Sequence, residues 1–130
     1  MAVQIQKKKI LYLMRILQEQ TDEQHILTAN ELCTELGKYG ISAERKSVYS
    51  DIDTLRDYGM DIVQIKGASA GYYIGEREFS MPELKLLVDA VQSSKFITRK
   101  KSDELIQKLE KLTSRSEARE LQRQKRQSAS

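Results

Sequence analysis

The 130-residue chain has few of the residues that build rigid or reactive sites. It contains one cysteine, one histidine, one proline and no tryptophan, and aromatic residues make up 6% of it. A single cysteine, Cys33, cannot form a disulfide within the chain, so we expect a reducing compartment, the cytoplasm. His25 lacks a second histidine or cysteine at ligand spacing, and no metal site is predicted.

Long hydrophobic runs are missing as well. No stretch of 18 apolar residues occurs, which excludes a membrane-spanning helix, and no hydrophobic signal core follows the basic N-terminal residues. The chain also has no glycine-rich phosphate loop and no paired acids at catalytic spacing. The sequence therefore predicts no enzyme and no cofactor.

Charge is abundant but unevenly spread. Charged residues make up 32% of the chain, and the net charge is +3. Residues 1–60 hold 8 basic against 9 acidic residues, whereas residues 99–130 hold 10 against 5. DNA-binding modules usually carry a basic surface. DNA binding by the first half would therefore depend on where its basic residues lie rather than on their number.

The first sixty residues have the pattern of a helix-turn-helix. Apolar residues with helical spacing predict a first helix over residues 5–19, with Lys7, Lys8 and Lys9 in solvent. Thr28 and Glu31 form a capping box that starts a second helix. A short turn containing Gly40 leads into a third helix over residues 43–58, for which Ser42 is the expected N-cap and Gly59 the expected end.

The third helix separates apolar residues from hydrogen-bond donors. Val48, Ile52 and Leu55 form one narrow apolar stripe. Its first two turns carry donors suited to phosphates and base edges, which are Arg45, Lys46, Ser47, Tyr49 and Ser50. Such an N-terminal end is what a recognition helix in a DNA major groove requires. The alternative is an ordinary amphipathic surface helix.

Beyond Gly59 the apolar period changes from helical to alternating. Residues 61–75 predict a β-hairpin with a small-residue loop. Lys66 and Ser69 in or beside that loop could reach a backbone phosphate. Alternatively, the hairpin only caps the core through Ile62, Ile65 and Ile74.

The remaining chain is predicted as two helices and a tail. Ser80 and Glu83 form a second capping box, and apolar stripes predict helices over residues 80–93 and 102–113. These helices either dimerise the protein through residues 79–113 or fold back on their own domain. Residues 115–130 are basic and nearly without apolar side chains, so we expect a frayed helix or a disordered tail.

Several short motifs together resemble a known family. The run from Ser47 to Leu55, the Tyr58-Gly59-Met60-Asp61-Ile62 segment and Gly71-Tyr72-Tyr73-Ile74 are similar to the N-terminal winged helix of bacterial WYL-domain transcription regulators. The helical segment from Phe79 resembles the one that follows the wing in that family. The resemblance covers about residues 7–114 and implies regulation of transcription.

Two departures from the family accompany this resemblance. Family members often have Arg before the aspartate that matches Asp51, and here the residue is Ser50. The effector-sensing WYL domain, which the family places after the helical segment, is missing. We therefore expect a truncated or stand-alone DNA-binding piece without an effector site.

The predicted fold is mainly α with a small β-hairpin (α+β), a winged helix-turn-helix followed by a short helical segment. Residues 1–78 would bind DNA, 79–114 would link or dimerise, and 115–130 would be the tail. The predicted function is sequence-specific binding of double-stranded DNA, with Thr28 and Asn30 fixing the register on a phosphate. The alternative is a winged-helix module that binds protein and not DNA.

Overall fold

The computed structural model describes residues 2–68 and 70–129, with side chains for residues 5–68 and 70–125. Three helices precede a two-stranded antiparallel hairpin, and three more helices follow it. The elements are α1 (Ala2–Gln20), α2 (Ala29–Lys38), α3 (Arg45–Tyr58), β1 (Ile62–Ile65), β2 (Gly71–Ile74), α4 (Met81–Ser93), α5 (Arg99–Glu110) and α6 (Arg115–Ala129). This is a winged helix-turn-helix followed by a helical segment, as predicted.

The chain divides into two compact units, residues 1–75 and 76–130. The first contains α1 to β2, and the second contains α4 to α6. The division lies near the predicted one after residue 78. The three helices of the second unit are one compact body rather than a helical segment with a separate tail.

The core of the first unit is formed where the apolar stripes of its three helices meet. Leu13, Leu17, Leu32, Leu36 and Val48 have no exposed surface. Ile62 and Ile74 of the hairpin join the same cluster, and they face each other across the strand register. Ile65 is 36% exposed, so its predicted part in the core was wrong. It lies at the far end of β1, next to the loop.

Helix boundaries follow the capping chemistry. The Thr28/Glu31 and Ser80/Glu83 capping boxes are both present, and both predictions are confirmed. The prediction for α3 was wrong at its start, because Glu44 rather than Ser42 is the N-cap and it makes no side-chain cap. Gly59 ends α3 with φ 126°, a conformation that residues with a Cβ rarely adopt.

The hairpin is fastened to the start of α2. The Leu27 amide donates to the Tyr72 carbonyl at 3.0 Å, and the Tyr72 amide donates to the Leu27 carbonyl at 2.7 Å. A Cβ at Gly71 would lie 3.0 Å from the Leu27 carbonyl oxygen, so a larger residue here would push the strand away from Leu27. Because of these two bonds, the hairpin lies next to the N-terminus of α2.

The second unit has a small core of its own. Leu84 and Val88 of α4, Ile106 of α5 and Leu121 of α6 are fully buried together. A frayed helix or a disordered tail was expected for residues 115–130, and the described part is instead a helix, α6, whose Leu121 is buried. Besides Leu121, the polar side chains of Gln124 and Lys125 also join α6 to α4 and α5. The α5 helix begins earlier than predicted, since Thr98 caps it.

Candidate nucleic-acid interface

The first turns of α3 present their polar side chains to solvent. Val48, Ile52 and Leu55 are at most 5% exposed and hold one side of the helix in the core. The side chains predicted to contact DNA lie away from that stripe, and four of them are exposed, namely Arg45, Lys46, Tyr49 and Ser50. The stripe therefore fixes which side of α3 another molecule can contact.

Lys9 and Asp51 form an ion pair between α1 and α3. Lys9 Nζ lies 3.1 Å from Asp51 Oδ2, and the ammonium also donates to the hydroxyl of Ser47. The prediction that Lys9 stays in solvent was wrong, because the residue is only 5% exposed. The Asp51 carboxylate therefore faces a lysine of the first helix and not the solvent side of α3.

Ser47 is consequently turned toward the protein. Its hydroxyl accepts from Lys9, and the residue is only half-exposed. The structure thus separates Ser47 from the other four predicted donors of α3. Its hydroxyl positions the helix on α1 instead of pointing outward.

An open pocket of about 160 Å³ lies where α2, α3 and the hairpin meet. The start of α2 contributes Thr28 and Asn30, and the start of α3 contributes Arg45 and Tyr49. The remaining lining residues are Ala29 of α2 and four residues of the hairpin, namely Gln64, Ala70, Gly71 and Tyr72. Four predicted site residues from two helices, distant in sequence, are therefore brought together.

Gln64 is a pocket residue that sequence reasoning missed. It is exposed on β1 and pairs with Tyr72 in the strand register. The available signal was a polar amide within the β-rich run of residues 61–66. An amide of this kind can both donate to and accept from a ligand.

The α2 N-terminus is partly occupied by its own cap. The Glu31 carboxylate accepts the Thr28 amide at 3.0 Å, and the Thr28 hydroxyl accepts the Glu31 amide at 3.1 Å. The Thr28 amide is therefore already bonded. The Thr28 hydroxyl hydrogen and the exposed Asn30 side chain remain to meet a ligand.

Two tyrosines join α3 to the hairpin. The rings of Tyr49 and Tyr72 lie 6.5 Å apart between centroids at a tilt of 51°, within the range of favourable aromatic pairs. Burial raises the pKa of Tyr72, and the neighbouring Tyr49 raises it further. The Tyr72 hydroxyl can both donate and accept a hydrogen bond.

The hairpin loop carries the remaining predicted contacts. Lys66 is exposed at the end of β1 but does not line the pocket, and Gly67 follows it with φ 102°. Ser69, the other predicted loop contact, lies outside the described residues. The loop therefore presents one described cation, Lys66, separately from the pocket.

The described part of the chain contains no group of three or more His, Cys, Asp or Glu side chains that could hold a metal ion. None of its helices is long and apolar enough to cross a membrane. Burial raises the pKa of the half-exposed Cys33 thiol, with smaller opposing effects of Arg45 and Lys9.

The chain matches no protein-family profile, no curated protein and no solved structure.

Proposed function

We propose that the protein binds double-stranded DNA with sequence preference. In this proposal α3 enters the major groove, the β1–β2 hairpin is the wing, and the start of α2 contacts a phosphate. The protein would act in the cytoplasm as the DNA-binding part of a bacterial transcription regulator, in line with the resemblance to WYL-domain regulators.

The observation that carries the proposal is the convergence of polar groups around the α2–α3–hairpin pocket. Arg45, Tyr49, Asn30 and Gln64 reach it from three elements. The apolar stripe of α3 is buried in the core, and this burial fixes the rotation of the helix and thus which side chains face the solvent. A surface that combines a cation, hydroxyls and amides suits both phosphate oxygens and base edges.

Different residues would have different effects in this interface. A base-edge contact from Arg45 or Lys46 would discriminate by roughly 1–3 kcal/mol, whereas a phosphate contact adds affinity without preference. Asp53 and Asp57 are exposed on the later turns of α3. Because carboxylates repel phosphates, we expect those turns to tilt away from the groove.

The proposal includes a homodimer, because one copy offers few reading residues and two half-sites would increase affinity. The described side chains between residues 79 and 113 include large exposed apolar groups, with Leu86 70% and Phe96 100% exposed. Sedimentation equilibrium of the wild type and of Leu86→Glu tests this. Dimer in the first and monomer in the second is expected, and monomer in both contradicts it.

The test of DNA binding compares two single-charge variants over a salt series. A duplex is first selected by the wild type from a random library. Lys46→Ala should lose preference for that duplex over a scrambled one, whereas Lys111→Ala, an exposed lysine of the second unit, should keep it. Equal preference in the wild type and Lys46→Ala at every salt concentration would contradict the assignment of α3.

The second candidate is a winged helix that binds another protein. It is favoured by the net charge of −1 over residues 1–60 and by the exposed Asp53 and Asp57. Duplex binding through phosphates must weaken steeply with salt, because counterions are released. Absence of any salt-dependent duplex binding by the wild type would favour this second candidate.

A further inference from the structure

We infer that α6 carries a second anion-binding surface, the α6 arginine row, which binds phosphates of duplex DNA without sequence preference. The row is formed by Arg115, Arg119 and Arg123, all exposed. The inference rests on the proposed function, and it assigns the sequence-independent part of that binding to the second unit.

The excess of positive charge lies in the second unit. Residues 1–75 hold 9 basic and 10 acidic residues, a net of −1, whereas residues 76–130 hold 13 and 9, a net of +4. Counterion release makes non-specific DNA binding depend on the number of phosphates that cations neutralise. The reading unit has no cationic excess for that purpose, and the second unit has one.

The side of α6 away from the arginine row packs on α4 and α5. Leu121 is fully buried against α4 and α5. Gln124 donates to the Asp89 carboxylate at 2.7 Å and to the Lys85 carbonyl at 3.1 Å. Lys125 lies 2.7 Å from the Asp103 carboxylate, and this contact lowers the pKa of Asp103. These contacts fix the rotation of the helix, so the arginines point outward.

The spacing of the row suits a polyanion. Arginines four residues apart are about 6 Å apart along a helix, and the row is about 12 Å long. Duplex DNA presents on the order of seven phosphates over that length, since it carries one charge per about 1.7 Å. Guanidinium groups also bind phosphate oxygens with two parallel hydrogen bonds.

The acidic residues of α6 form no ion pair with Arg119 or Arg123 among the described side chains. Glu117 accepts from the Thr113 hydroxyl at 2.6 Å, which directs its carboxylate to the start of the helix. Glu120 is exposed and lies one turn before Arg123, but no ion pair within 4 Å joins the two side chains. Among the residues whose side chains are described, neither Arg119 nor Arg123 forms an ion pair.

A membrane surface fits this helix less well than DNA does. Helices that lie on membranes place large apolar residues beside their basic ones. The one large apolar residue of α6 is Leu121, and it is buried in the unit's core. The exposed side offers only polar and charged groups, so phosphate attraction without apolar insertion is the interaction it supports.

The experiment uses the full chain and a random-sequence duplex followed by fluorescence anisotropy over a salt series. The α6 variant is Arg119→Gln with Arg123→Gln. The matched control is Lys100→Gln with Lys111→Gln, which removes the same charge from other exposed positions of the second unit. Circular dichroism verifies that both fold. Each lost phosphate contact should reduce the salt slope by about 0.9, so the α6 variant should lose about two units.

The outcomes separate this inference from the proposed function. A shallower slope in the α6 variant alone supports the arginine row. An unchanged slope, or an equal loss in the lysine control, overturns it. Lys46→Ala, measured on the selected and scrambled duplexes, tests the reading helix independently, so either assignment can fail while the other stands. Absence of duplex binding by the wild type at low salt overturns both.

Discussion

The Lys9–Asp51 pair offers the sharpest test of how α3 is held. Replacing Lys9 with Met keeps much of the side-chain length but removes the ammonium. The Asp51 carboxylate is then left without its counter-charge, and the Ser47 hydroxyl loses its donor. Asp51 and Ser47 both lie on α3 and contact the Lys9 ammonium of α1, so the substitution weakens the packing of α3 on α1.

The expected loss of stability in Lys9→Met depends on how deeply the ion pair is buried. Breaking a buried ion pair by removing one partner costs about 3–5 kcal/mol. The side chains here are 7% and 19% exposed, so water reaches the carboxylate in part and the lower end applies. We expect Lys9→Met to reduce the free energy of unfolding by about 3 kcal/mol. The double variant Lys9→Met with Asp51→Leu should recover most of this, because apolar replacement of both partners is often close to neutral.

The assay can report the first unit alone. All six tyrosines lie within residues 1–75, and the chain has no tryptophan. Urea unfolding followed by tyrosine fluorescence therefore measures the unit that contains the pair. Lys8→Met is the matched control, since its neighbour Lys8 is exposed on the same helix and should change stability by less than about 0.5 kcal/mol. Equal stability of Lys9→Met and Lys8→Met would refute the reasoning.

Three further predictions concern the cores and a cap. Ile52→Ala should cost on the order of 3 kcal/mol in the tyrosine-detected transition, because it leaves a cavity under α3; a cost below about 1 kcal/mol would contradict this. Leu121→Ala should lower the helical circular dichroism and leave the tyrosine transition in place; a fully helical variant would contradict the packing of α6. The Ser80 amide lowers the pKa of Glu83, so this carboxylate stabilises the fold above its unfolded pKa. That contribution is lost as pH falls through the folded pKa, and Glu83→Gln should show a flatter acid melting profile.

Local patterns were enough to predict most of the first unit. The capping box at Thr28, the positive φ at Gly59 and the apolar stripe of α3 are short-range features that a sequence displays directly. The change of period after Gly59 likewise indicated the hairpin. Each of these features depends on residues within about one helical turn of each other or on a single backbone conformation.

Long-range pairing could not be predicted in the same way. Lys9 looked like one of three solvated lysines, and only the packing of α1 on α3 shows that it meets Asp51. Ser47 looked equivalent to Ser50, but the same packing turns its hydroxyl inward. These differences depend on how two helices rotate against each other, and side-chain period alone does not give that rotation.

The second unit shows how one residue can decide whether a segment folds. Residues 115–130 have too few apolar side chains for an independent helix face, which led to the expectation of a frayed helix or a disordered tail. Leu121 nevertheless packs into one buried cluster with residues of α4 and α5. Gln124 and Lys125 add hydrogen bonds and an ion pair around it. A composition rule applied to the segment alone cannot include the partners that its neighbours supply.

The net charge of residues 1–60 does not say where the unpaired charges of the first unit lie. Asp51 is already neutralised by Lys9, and Asp22 is buried beside His25. The Glu35 carboxylate lies 2.6 Å from the Lys38 ammonium. Each lysine–carboxylate pair takes one acid and one base out of the sum, so the net charge stays the same while fewer charges are left unpaired. Because fields at a surface depend on the nearest unmatched charges, the potential at the start of α3 depends on the exposed Arg45 and Lys46 and on the exposed Glu44 beside them.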